Sequence, residues 1–118
     1  MQDYFDLIQE HDKEITEAQK QNQEALRHGT NSFHMNRMHK MKRAEKVLEL
    51  RTASKLPANI AQIVADGDEE VSAYALKRDC EEALSKASSE AVQLHKRRAD
   101  FIRDQINREG YVPRRENL

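Results

Sequence analysis

Tryptophan is absent from this chain of 118 residues, cysteine occurs once, and there are only 3 Gly and 2 Pro. So few breakers and so few aromatic residues (5%) favour long amphipathic helices over a sheet. The lone cysteine, Cys80, has no partner for an internal disulfide, and a reducing compartment is its simplest setting. No apolar run approaches the roughly 18 residues that a membrane-spanning helix needs. The acidic segment 1–10 lacks the basic-then-apolar layout of a secretion signal, so a cytoplasmic protein is expected. One helical domain over residues 1–110 with a loose tail over 111–118 is the expected organisation. Its core is thin, built of Leu, Ile and Val with much Ala, which points to self-association.

What is abundant is charge, and it is sorted into blocks. Residues 1–26 carry 2 Lys against 7 Asp/Glu, and residues 27–55 carry 8 Lys/Arg against 2 Glu. Residues 56–94 return to 3 against 8, and residues 95–118 to 7 against 4. The net charge of −1 therefore conceals a segregated surface. A basic block attracts a polyanion such as nucleic acid. It equally suits docking against acidic helices of the same fold.

Helical periodicity runs throughout. Tyr4, Ile8, His11, Ile15, Ala18, Asn22 and Ala25 alternate spacings of four and three, a heptad seam over residues 2–27. Ile8, Ile15 and Asn22 are its candidate oligomer contacts. Gly29-Thr30-Asn31-Ser32 reads as a stop followed by N-caps, so a second helix is expected from Phe33 to Ala53. Pro57 opens a short third helix with an apolar face of Ile60, Ile63 and Val64. Asp66-Gly67-Asp68 ends it, and Asp66 with Glu69 has capping-box spacing for the next helix. The last helix, residues 68–109 with Gly110 as its stop, should be the longest. Ala83, Ala87 and Ala91 recur along it every four residues, and with Leu94 they form a candidate close helix–helix contact between copies. The expected fold is all-α, an antiparallel helical hairpin or bundle with one long C-terminal helix, self-associating.

Catalytic and cofactor chemistry finds no foothold. There is no phosphate-cradling Gly-rich loop, no nucleophile elbow and no His-Glu-x-x-His. His34 and His39 are five apart rather than the four that places two imidazoles on one helical face, so no metal site is expected. Met35, Met38 and Met41 sit at helical spacing and read as core or oligomer interface. Cys80 reads as a small buried residue.

The basic residues are the remaining candidates. Arg37, Lys40, Lys42, Arg43, Lys46 and Arg51 form one cluster, and Lys96, Arg97 and Arg98 a second. One reading is phosphate-backbone contact without base-edge readout. The other is pairing with the acidic blocks, each exposed pair contributing about 0–1 kcal/mol and so directing register more than stability.

The stretches Gly67-Asp68-Glu69-Glu70-Val71, Leu76-Lys77-Arg78-Asp79 and Glu82-Ala83-Leu84 resemble those of small all-helical proteins of tailed phages. The layout as a whole resembles the phage-type recombination mediator family: an acidic first helix, a Lys/Arg-rich second helix and a long helix used for assembly. The family's DNA-contacting segment would fall on Lys46 through Arg51, where Glu49 interrupts the basic run. The resemblance implies a non-enzymatic homo-oligomer that gathers single-stranded DNA and hands it to a recombinase. The alternative is a factor acting only through a host or virion protein, in assembly, as a terminase accessory or as an inhibitor, with no membrane contact.

Overall fold

The computed structural model describes residues 3–109, and those residues form three helices: α1 (Tyr4–Thr52), α2 (Ala58–Asp66) and α3 (Glu69–Arg108). The fold is all-α, and α1 packs antiparallel against α3. The expected tail at 111–118 and the stop at Gly110 lie outside the described residues.

The break expected at Gly29–Ser32 does not occur. α1 continues through it for 49 residues and is longer than the 40-residue α3, which the sequence ranked first. Two local features carry the helix across. Thr30 turns its hydroxyl back onto the carbonyl of Leu26 (2.9 Å), a bond compatible with a helix interior. Gly29 is a contact rather than a stop: a Cβ there would lie 3.3 Å from Ser85 Oγ on α3. Glycine in mid-helix costs about 1 kcal/mol relative to alanine, and here the cost allows close approach of two helices.

α1 ends through Lys55, which has φ 55°, the left-handed region that disfavours residues with a Cβ. The Leu56 N–H then donates back to the Leu50 carbonyl (3.2 Å). Lys55→Gly is expected to stabilise the fold by about 0.5–1 kcal/mol, because relief of the left-handed penalty exceeds glycine's added chain entropy. A urea midpoint that rises at unchanged slope would bear this out.

Pro57 stands at the N-cap of α2, and the helix ends at Asp66 as its sequence predicts. The cap of α3 differs from expectation. Asp68, not Asp66, accepts from the N–H groups of Glu70 (3.1 Å) and Val71 (3.2 Å), satisfying two of the donors a helix start leaves open.

Contacts group the described residues into two compact units, one from residues 3–25 and 86–109, the other Leu26–Ser85. In the first, Leu7 is fully buried against Ile102 and Ile106, with Ile8 packed alongside. Ala18, Ala25, Val92 and Ala99 complete its buried apolar set among the described residues. In the second, the buried apolar residues are only Ala61 and Ala65 of α2 and Val71 of α3. Hydrophobic burial is thus slight there, and polar contacts set the helix register.

Candidate functional site

The central basic segment lies on α1 in the Leu26–Ser85 unit, and its cations divide by helix face. Lys42, Arg43 and Lys46 turn toward α2 and the start of α3. Arg43 grips Asp66 with two bonds, Nε to Oδ1 at 2.6 Å and Nη2 to Oδ2 at 3.4 Å. Lys42 lies 3.5 Å from Glu70 and 3.6 Å from Glu45. Lys46 lies 3.7 Å from Asp68, the α3 cap, and 3.8 Å from Glu49. The forked guanidinium on Asp66 holds that carboxyl below its usual range, chiefly through the hydrogen bond. Glu45 and then Glu70 raise the Lys42 ammonium above its usual value.

The other three cations of this segment, Arg37, Lys40 and Arg51, are exposed and make no ion pair among the described residues. At spacings of four, seven and eighteen from Phe33 they share its helical face. Phe33 itself is 81% exposed. Lys96, Arg97 and Arg98 are likewise exposed on α3, in the other unit. Arg97 and Arg98 there line a shallow groove with Glu10, Glu14 and Phe101.

Polar cross-helix contacts that sequence reasoning missed lie along the α1–α3 seams. In the Leu26–Ser85 unit, His28 Nδ1 meets Glu81 Oε2 at 2.5 Å, both side chains largely covered. Nearby, Ser32 donates to the Arg78 carbonyl (3.2 Å) and Arg78 Nη1 to Asn36 Oδ1 (3.1 Å). In the other unit, His95 Nδ1 meets Glu14 Oε2 at the same 2.5 Å. The signal was a spacing: Glu14 and His28 are two heptads apart on α1, as are Glu81 and His95 on α3. Only a known antiparallel register turns those spacings into pairs.

Glu81 is held below the usual carboxylate range, first by its hydrogen bond to His28 and against the opposing effect of burial. A carboxyl whose pKa is lower folded than unfolded contributes stability that is complete above its unfolded value. That contribution is lost as pH falls through the folded one. Asp66 and Glu81 both have this sign, so acid should weaken the fold from about pH 4 downward. The double variant D66N/E81Q is expected to be less stable at pH 7 and to lose less on acidification. Melting curves between about pH 2 and 7 test this, and parallel pH profiles for both proteins would contradict it.

The expected oligomer contacts divide. Ile8 is half-buried inside its unit, while Ile15 and Asn22 are exposed. On α3, Ala83, Ala87 and Leu94 are exposed and Ala91 half-buried, so this stripe does not pack against α1. Cys80 is exposed, not buried, because it belongs to that outward face. Of the methionines, Met35 and Met38 are half-buried and Met41 exposed. α2 departs furthest from sequence reasoning. It buries Ala61 and Ala65 and turns Ile60, Ile63 and Val64 outward, Ile63 being 71% exposed.

No family model, curated protein or solved structure matches this chain. The geometry is therefore the ground for a functional reading. Among the described residues no three His, Cys, Asp or Glu side chains converge on one point, and no helix is long and apolar enough to cross a membrane.

Proposed function

We propose that this chain is a non-enzymatic helical assembly protein that acts by protein–protein contact through apolar faces its own fold leaves uncovered. The observation that carries the reading is α2. A short helix with three large β-branched residues buries its alanines and presents Ile60, Ile63 and Val64 to the surface. Burying each such side chain is worth about 1.5–3 kcal/mol, so their exposure leaves a strong drive to associate. The central cations support the same reading, since Lys42, Arg43 and Lys46 already have acidic partners. A phage-type assembly factor, terminase accessory or host-directed inhibitor fits this description.

A second reading rests on Phe33, Arg37, Lys40 and Arg51. One exposed face with three cations and an aromatic suits a single-stranded polyanion, as in a recombination mediator delivering DNA to a recombinase. Three phosphate contacts correspond to a log–log salt slope of only about −2 to −3.

Light scattering and gel retardation separate the two. The assembly reading expects a solution mass above the chain's 13.8 kDa, with no retardation of a labelled single strand at low salt. I60E/I63E should lower that mass while leaving the helical signal intact and stability within about 0.5 kcal/mol, since both side chains are exposed. A monomer that retards DNA, with R37Q/K40Q abolishing the shift, would overturn it in favour of the second reading.

A further inference from the structure

We infer that two copies of this chain pair through the outward face of α3, antiparallel and related by a two-fold axis near residue 89. The inference rests on the assembly reading and names its partner as a second copy. α3 carries two seams at heptad spacing. One faces α1 and includes Val71, Val92, Ala99 and Ile102, all buried. The other is the column Ala73, Cys80, Ala87, Leu94 and Phe101, repeating every seven residues, with Leu84 and Ala91 beside it. The large members of this second column are open, Phe101 by 64%.

Two independent features select a second copy in the antiparallel sense. The first is shape. Reversing α3 onto itself about residue 89 sets Ala87 against Ala91 at the centre and Leu84 against Leu94 on either side. Small residues then meet where the axes approach most closely, and large ones meet large ones outside them. The second is charge. Along one margin of the column the order is Asp79, Lys86, Glu90, Arg97. Reversal brings Asp79 near Arg97 and Lys86 near Glu90, each twice by symmetry, as an isologous interface requires. A parallel pair, with its two-fold axis along the helices, would turn this margin toward the opposite margin of the other copy and form neither pair. Lys86, Glu90 and Arg97 are all exposed. Asp79 is exposed too, and among the described residues it pairs with its neighbour Arg78, at 2.9 Å.

The pairing also dictates where Cys80 goes. Antiparallel contact puts it opposite residue 98 of the other copy, about 27 Å along the helix from the second Cys80. Disulfide geometry needs the Cα atoms within about 7 Å, so the native dimer should not become cross-linked on mild oxidation.

The decisive experiment uses charge-swapped full-length chains. K86E/R97E carries an all-acidic margin and D79K/E90K an all-basic one. Each alone is expected to raise the dimer dissociation constant about a hundredfold, with the helical signal unchanged. Mixed in equal amounts they should recover a dimer mass by light scattering, because each acid then faces a base. A wild-type chain that is monomeric at about 100 µM overturns the inference. So does an oligomer whose mass neither variant changes; that result leaves the assembly reading standing and removes only this interface. Rapid Cys80–Cys80 cross-linking of the wild-type dimer would also overturn it, in favour of a parallel pair.

Discussion

Leu7→Ala is expected to remove about 2–4 kcal/mol of folding stability. Leu7 has no solvent exposure and, with Ile102 and Ile106, forms the only cluster of large buried apolar side chains among the described residues. Truncation to alanine loses the transfer free energy of three carbons and leaves a space that two isoleucines on one helix cannot close without moving α3. The loss is a large fraction of the total, because single domains are stable by only about 5–15 kcal/mol. Urea denaturation measures it directly, and Leu26→Ala is the control. Leu26 is 65% exposed, so its truncation should cost under about 1 kcal/mol. Equal effects at the two positions would show that Leu7 is not the anchor its burial implies.

Gly29→Leu should be the other severe change, with a loss of about 1–3 kcal/mol or more. Here the sign depends on side-chain size. Alanine at 29 adds about 1 kcal/mol of helix propensity but sets a Cβ 3.3 Å from Ser85 Oγ. Those effects nearly cancel, so Gly29→Ala should sit within about 1 kcal/mol of the native protein. Leucine gains the same propensity and inserts three further carbons into a closed approach. The helices must then part, and the neighbouring His28–Glu81 and Ser32–Arg78 contacts go with them. Thermal melting of the two variants against wild type tests this. If Gly29→Leu were as stable as Gly29→Ala, the glycine would be a tolerated helix residue and nothing more.

The contrast between these positions shows how far reading the chain could reach. Asp66-Gly67-Asp68 and Pro57 marked helix boundaries correctly, because caps and proline act within a few residues of themselves. Gly29-Thr30-Asn31-Ser32 has the same local signature and is helix throughout. Its preferences are overridden by a partner that sequence places 46 or more residues away, at Arg78 and Ser85. The heptad seam of the first helix was half correct for a similar reason. Ala18 and Ala25 are buried as predicted, whereas Ile15 and Asn22 face outward and Glu14 takes an inward position opposite His95. Hydrophobicity alone ranks Ile15 above Glu14. A histidine across the seam reverses the order, since a covered carboxylate with a 2.5 Å partner is not a desolvated orphan.

The basic helix gave the same lesson in electrostatic form. Six cations in fifteen residues read as one cluster. Folding separates them into a face directed at Asp66, Asp68 and Glu70 and a face carrying Arg37, Lys40 and Arg51 with Phe33. Because i and i+4 share a helix face and i+2 does not, that division was available from spacing. Which face meets the acids was not.

By itself, then, the sequence determined an all-helical chain with a thin apolar core, segregated charge and more amphipathic surface than two long helices can bury. Those properties follow from composition and from a period of 3.6 residues, which need no partner to be read. The tertiary structure decided which of several stripes turns inward. α1 and α3 came together on the Leu7, Ile102 and Ile106 cluster and otherwise along small and polar residues, α2 on its alanines. Close backbone approach and paired His–Glu contacts were satisfied there, and Ile60, Ile63, Leu94 and Phe101 were left for the surface.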